Sequence, residues 1–388
     1  MRTLLLVLIL SPGCYPLCPA DQIPSSGGDR CVWQFNDGGN IDTEADVDGN
    51  IDGGPLNGGV IDVQTAPGLG CELFANGRVA CWGGNSCGQH GAGYVGGNTA
   101  IQYVIAIPPA LEIAVGREHA CIRATDGVWC WGNNQYGRVD PRIGTTPPAA
   151  YTATPRRVRG PVLGIAAGAY HTCVIDDAYT ATCWGDNSAG AFGNGSLTAT
   201  AWNVTLVGLA FEADAVWAAG TRTCYRDRAT RLIYCSGYPN AEGLVDGVLM
   251  PAEISGTGAS VPSTDVSQGS ALGMDACMLE EGTHKIWCWG TDYDMFPTPD
   301  TTADKIAVGN NLTAWLNDGV VSFAGEGVPS YTYAAVPGLM DVTVIRLTDD
   351  HGCYVRHGEV YCWGGNLQGD LGDGTTTPSA TPLRVLAP

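Results

Sequence analysis

The chain has 388 residues, 19 Lys+Arg against 39 Asp+Glu, a net charge of -20, 55 Gly and 16 Cys. With 45% apolar residues it can bury a core, so it is not a disordered chain. The acidic balance argues against sequence-independent nucleic-acid binding, and 16 Cys without a Cys-x-x-Cys pair point to an oxidising compartment rather than to zinc.

Met1-Arg2-Thr3 is a short positive start, and residues 4–10 are an unbroken apolar run. Such a run is too short to span a bilayer and suits the core of a signal peptide over residues 1–14. Gly13-Cys14 follows and resembles the cleavage box of bacterial lipoproteins, which makes Cys14 a candidate for lipidation. Cleavage near Ala20 is the alternative. No later apolar run is long enough to cross a membrane, so the membrane is reached only through a lipid anchor.

Residues 15–58 read as a Gly/Asp-rich flexible tether, because 36–59 is dominated by Asp, Gly and Asn and lacks hydrophobic periodicity. Glu44, Asp46, Asp48 and Gly49 look like the start of a calcium loop, but Pro55 stands where its closing acid is needed. No metal is expected there.

From residue 59 to 388 the chain repeats itself. Cys-Trp-Gly occurs at Cys81, Cys130, Cys183, Cys288 and Cys362, with a sixth copy at Cys235-Ser236-Gly237. Upstream of each stands another Cys: Cys71, Cys121, Cys173, Cys277, Cys353 and Cys224. A seventh copy runs through Ala314 and Ser322, which take the places of the two Cys, with Phe323 in place of Trp. Units of about 47 residues suit the four-stranded blades of a β-propeller, and seven are expected.

The spacing carries geometry. A two-residue turn at His357-Gly358 sets Cys353 opposite Cys362 at a non-hydrogen-bonded position, within reach of a disulfide. A three-residue loop at 75–77 does the same for Cys71 and Cys81. Six bridges within hairpins follow, and the seventh copy, read in the same register, sets Ala314 opposite Ser322. Cys14, Cys18, Cys31 and Cys87 are left over. Lipid on Cys14 leaves an odd number, whereas cleavage after Ala20 leaves Cys31 and Cys87 to pair. The array starts late at residue 60 and stops early at 381–386, so the C-terminal strand is expected to complete the first blade and close the ring.

Ala166-Ala167-Gly168-Ala169-Tyr170-His171-Thr172-Cys173 and the run from Cys362 to Pro378 (Cys-Trp-Gly-Gly-Asn-Leu-Gln-Gly-Asp-Leu-Gly-Asp-Gly-Thr-Thr-Thr-Pro) resemble the repeats of the regulator of chromosome condensation family. The resemblance covers residues 59–388 and implies a seven-bladed propeller. Its eukaryotic founder exchanges nucleotide on a small GTPase in the nucleus. Secreted bacterial members look like binding proteins, and one relative inhibits β-lactamases. The chain departs from the pattern at Ser236 and in the copy without Cys.

Three histidines, His119, His171 and His351, each stand two residues before a bridge Cys. Leu69, Arg222, Asp275 and Leu312 hold that place in the other repeats, so no closed metal set exists, and a hydrogen bond within the repeat is the expected role. Gly84-Asn85-Ser86-Cys87-Gly88 matches the nucleophile-elbow string, but it falls in the turn after Trp that other repeats share, where Ser is one variable filler. Asn194, Asn203 and Asn311 begin glycosylation sequons. No phosphate loop appears, and no cofactor is expected.

The recurrent Trp residues follow a bridge Cys, so they point to the opposite sheet face and pack between blades. Loop aromatics are the better candidates for contact: Tyr94, Tyr136, Tyr238, Tyr293, Phe296, Tyr331 and Tyr333. The expected protein is a secreted or envelope-anchored monomer. It binds another protein or an extracellular ligand without chemistry of its own. The alternatives are nucleotide exchange, as in the family founder, and a propeller glycan hydrolase or lyase.

Overall fold

The computed structural model describes residues 22–24, 31–33 and most of 59–388, leaving out 98–99, 144–149, 198–199, 238–251, 254–262, 269–275, 290–300, 310–311 and 326–337. Met1–Gly54 and Pro55–Pro388 are separate compact units. In the first, β1 (Gln22–Pro24) pairs antiparallel with β2 (Cys31–Trp33), so the stretch expected to be an unstructured tether contains a strand pair.

The second unit is built of antiparallel sheets, one after another along the chain. The first comprises β3 (Val60–Ala66), β4 (Leu69–Phe74), β5 (Val79–Gly83) and β6 (Gln102–Tyr103). The second comprises β7 (Ala110–Val115), β8 (His119–Ala124), β9 (Gly127–Asn133) and β10 (Tyr151–Arg159). The third comprises β11 (Gly164–Ala167), β12 (His171–Ile175), β13 (Ala181–Gly185) and β14 (Thr200–Leu206). In the fourth lie β15 (Ala213–Ala219), β16 (Arg222–Asp227), β17 (Ile233–Gly237) and β18 (Ala252–Glu253). The described residues give three strands to the fifth, β19 (Ser263–Gln268), β20 (Ala276–Glu280) and β21 (Ile286–Trp289). They give three to the sixth, β22 (Lys305–Val308), β23 (Thr313–Asn317) and β24 (Val320–Ala324). The last holds β25 (Val342–Leu347), β26 (His351–Arg356), β27 (Glu359–Gly364) and β28 (Ser379–Arg384).

These sheets are the blades of a β-propeller. The first strand of each touches the first strand of the next: β3 meets β7, β7 meets β11, β11 meets β15, β15 meets β19, β19 meets β22, β22 meets β25, and β25 returns to β3. The circle therefore closes between the last blade and the first. Closure does not take the form expected from the chain ends. The C-terminal strand β28 pairs with β27 in its own blade, and the first blade has four strands without it. The seam is a blade-to-blade contact, because β6 already fills the place that the tail was expected to take.

In six of the seven blades the hairpin of second and third strands holds its bridge. Cys71–Cys81, Cys121–Cys130, Cys173–Cys183, Cys224–Cys235, Cys277–Cys288 and Cys353–Cys362 all stand opposite one another, with Cα atoms 4.1 Å apart. Cys87 is also disulfide-bonded and fully buried. The sixth blade departs from the expected register. Asp318-Gly319 forms a two-residue turn, so Ala314 faces Phe323 and Ser322 faces Trp315. Counted outward from the turn, Ala314–Phe323 is the equivalent of Cys353–Cys362. A small residue facing a large one replaces the bridge.

The core lies between the blades. One cluster joins the Cys71–Cys81 bridge of the first blade to Ile122 and Trp131 of the second. Another joins Cys121 and Cys130 to Val174 and Trp184 of the third. A third joins Cys173 and Cys183 to Tyr225 of the fourth. Alternation along the strand produces this pattern: the bridge points to one neighbour, and the residues beside each Cys point to the other.

Candidate functional site

In four blades the turn after the Trp of the Cys-Trp-Gly motif is built around one asparagine, three residues beyond it. Asn85, Asn134, Asn187 and Asn366 are fully buried. The Asn85 side-chain carbonyl accepts from the His90 amide at 3.0 Å, and its amide donates to the Gly96 carbonyl at 2.9 Å. In the same way Asn366 accepts from the Leu371 amide at 2.9 Å and donates to the Thr377 carbonyl at 2.9 Å. One side chain thus ties both ends of a loop that has no ladder of its own. Ser86, of the elbow string, is exposed in such a turn between strands, where the α/β context for an elbow is lacking.

These turns reach across to the next blade. Trp131 Nε1 donates to the Gln89 carbonyl at 2.7 Å, and Trp184 Nε1 to the Arg138 carbonyl at 3.0 Å. At the closing seam Trp82 Nε1 donates to the Asp370 carbonyl at 2.8 Å. The Asp370 carboxylate also accepts from the Gly68 amide at 2.8 Å. The same contact therefore recurs where the chain is continuous and where it is not.

Two of the three histidines bond across seams, not within their repeats as expected. His119 Nε2 lies 3.0 Å from Thr172 Oγ1 and His171 Nε2 lies 2.7 Å from Thr223 Oγ1, each in the following blade. Thr172 Oγ1 donates to the Arg138 carbonyl at 2.9 Å, so its lone pair faces the imidazole. Burial pulls the His171 pKa down to about 4, and burial holds His119 well below its ordinary range. Both rings are neutral and buried away from solvent. His351 stays within its repeat, with Nδ1 2.9 Å from Thr348 Oγ1 and 3.0 Å from Asp350 Oδ1. Among the described residues no group of three or more His, Cys, Asp or Glu side chains is placed to hold a metal ion.

The first strands of the blades line a central cavity of about 410 Å³. Its charged groups are held by neighbours. Arg346 Nη2 donates to Asp62 Oδ1 at 3.0 Å, Arg123 Nε to Glu112 Oε2 at 2.8 Å, and Lys305 Nζ to the Thr343 carbonyl at 2.9 Å. At the mouth, Arg117 donates to the Tyr170 hydroxyl at 2.9 Å. Among the described residues the lining carboxylates, Asp62 and Glu112, are both engaged by arginines.

Of the candidate contact residues, Tyr94 is 43% exposed and Tyr136 half-buried, both in loops that follow a Trp. Tyr136 has φ 62° within a short 3-10 turn, Gln135–Gly137. Tyr238, Tyr293, Phe296, Tyr331 and Tyr333 lie outside the described residues. Leu367, at the tip of the last such loop, is 80% exposed and was not among the sequence candidates, since aromatic rings alone guided that choice.

Repeated hairpins, Trp seams and a closed circle of blades define a β-propeller, and part of it is similar to the regulator of chromosome condensation repeat. The profile of that repeat matches residues 111–138 and 125–175. A human relative, the probable E3 ubiquitin-protein ligase HERC6, is 30% identical over 122 residues, 29% of this chain and only 12% of its own length. Three solved structures share the fold. Human WBSCR16 covers 86% of this chain and 83% of its own at 19% identity, TM-score 0.55. Prp20p from Saccharomyces cerevisiae covers 84% and 77% at 15% identity, TM-score 0.53. The CRINKLY WD40 ectodomain of the Arabidopsis thaliana receptor kinase ACR4 covers 85% and 100% at 16% identity, TM-score 0.53.

Proposed function

We propose that this chain is an extracytoplasmic, non-catalytic propeller that binds another protein through the loops following its Trp residues. The observation that carries this reading is the set of six bridges, one in each hairpin except that of the sixth blade. Such bridges form and persist in oxidising compartments, and the reducing nucleus in which the family founder exchanges nucleotide would not maintain them. Tyr94, Tyr136 and Leu367 place amphipathic or apolar tips on rigidly tied loops, which is what an interface anchor requires. Cys14 carries the lipid that holds the ring to the envelope.

Fractionation of the producing cell, with thiol labelling before and after reduction, tests the compartment. Protein outside the cytosol with its twelve hairpin cysteines unreactive until reduction is expected; twelve reactive thiols in the native protein would overturn the reading. Detergent partitioning decides the anchor, and a mature protein starting at Asp21 would remove it. Photo-crosslinkers at positions 94 and 136 should trap the same partner, and Tyr331→Ala with Tyr333→Ala should weaken its capture. Accelerated nucleotide release from a small GTPase would instead favour the exchange-factor alternative.

A further inference from the structure

The closing seam differs from the other seams at two buried positions. The first is the residue after the first cysteine of each hairpin, or after Ala314 in the sixth blade, which faces the hairpin of the preceding blade. Ile122, Val174, Tyr225, Met278, Trp315 and Tyr354 hold this place, counting Trp315 after Ala314, and each belongs to a seam cluster with the preceding blade. In the first blade the residue is Glu72, only 4% exposed. Its seam cluster contains Cys353, Cys362, Val355 and Val360 of the last blade. A carboxyl thus stands where every other seam has an apolar or aromatic side chain.

The second position concerns His351. Thr172 and Thr223 receive the histidines at their seams, but the matching residue of the first blade is Gly70. A threonine would not fit there, because a Cβ on Gly70 would lie 2.3 Å from the Trp82 ring. His351 Nε2 is consequently buried without a partner, while Nδ1 turns to Asp350. The acids around it are Asp349 and Asp350 on its own turn and Asp370 on the loop that receives Trp82. Arg117 is a cation that acts on Asp349 in this group.

We propose that the seam between the last blade and the first is the proton-controlled opening point of the ring, tightened by acid and loosened by alkali. A neutral Glu72 suits its apolar surroundings, and a charged one does not. Burial raises its pKa to about 8, against the opposing charge of Arg384, which is itself paired with Glu359 at 2.6 Å. The folded carboxyl therefore holds a proton that the free one has lost. Its stabilisation is complete below the ordinary carboxyl range near 4.5 and falls away as pH rises towards 8. For His351 burial works against the charge, but the Asp350 bond and the charges of Asp370, Asp350 and Asp349 outweigh it and raise the pKa. Its contribution is also full in acid and lost as pH rises. His119 and His171 have the opposite sign, so their seams weaken as pH falls below about 6.5.

Hydrogen exchange of the full oxidised chain at pH 5.5 and 8.5, corrected for intrinsic rates, separates the seams. Opening at segments 69–83 and 353–364 should rise at least about tenfold at the higher pH. Segments 119–133 and 171–185 should show no such rise. Glu72→Gln, and Glu72→Met, which supplies the residue type of Met278, should each remove most of the rise. Equal protection of the closing seam at both pH values would overturn the proposal. So would a rise shared by all seams, or a slope retained in both variants.

Discussion

Asn366 shows how much one side chain can carry when the backbone around it has no ladder. It accepts from the Leu371 amide and donates to the Thr377 carbonyl, and it is fully buried. Asn366→Ala leaves both backbone groups unpaired, and a loss of about 2–3 kcal/mol in denaturant unfolding is expected. The asparagine stands in the sequence three residues after four of the Trp residues, but its role is set by the folded path of the loop, which spacing alone does not reveal. His171 supports a second expectation. Its pKa is pulled down to about 4 by burial, so its stabilisation is present above about 6.5 and lost as pH falls towards 4. His171→Asn should flatten this acid limb in denaturant midpoints measured stepwise from pH 7 to 4. The cross-blade partner of His171 was not legible, because Thr223 lies 52 residues away and only the packing of blades brings the two together.

At the scale of the hairpin, turn chemistry and cysteine spacing determine register. His357-Gly358 and Ala75-Asn76-Gly77 were readable as turns, and their bridges stand where counting outward puts them. The sixth blade was misread by one residue. Without cysteines, Phe323 was matched to Trp, although it stands in the place of the second Cys and meets Trp363 edge-on at 6.5 Å. A one-residue slip turns every side chain to the other face, so the two registers can be distinguished chemically. Ala314→Cys with Phe323→Cys should oxidise to a seventh hairpin bridge. Ala314→Cys with Ser322→Cys should leave two free thiols, because these side chains point to opposite faces. Mass spectrometry of alkylated, unreduced protein reads the result. Conversely, Cys353→Ala with Cys362→Ala should cost at most about 2.7 kcal/mol, the chain-entropy value for a loop of about ten residues.

For the molecule as a whole, the circle of blades was legible from the number and order of repeats, but the manner of its closure was not. Two partial chain ends were read as two parts of one blade. In the structure Gln102–Tyr103 forms the fourth strand of the first blade, a segment too short to declare itself in sequence. The last and first blades therefore meet as any two neighbours do, through Trp82 and Asp370, Arg346 and Asp62, and the Val60 amide donating to the Gly358 carbonyl at 2.9 Å. Apart from Glu72 and His351, the closing seam is thus built of the same blade-to-blade contacts as the others, and the chain break can be moved to another seam. A circular permutant of 59–388 with Pro388 joined to Gly59, opened between Ala106 and Pro109 and carrying Cys87→Ser, moves the break to the first and second blades. Because every blade keeps all its own strands, the permutant should retain six bridges and unfold within a few degrees of the parent. Under closure by a strand shared between chain ends, Gln102–Tyr103 would instead belong to the second blade, and opening the chain after Ala106 would cut that blade in two and drop the unfolding temperature well below that of the parent. Calorimetry and thiol counting on the permutant decide between the two: the wild-type architecture predicts one cooperative transition and no reactive hairpin thiol.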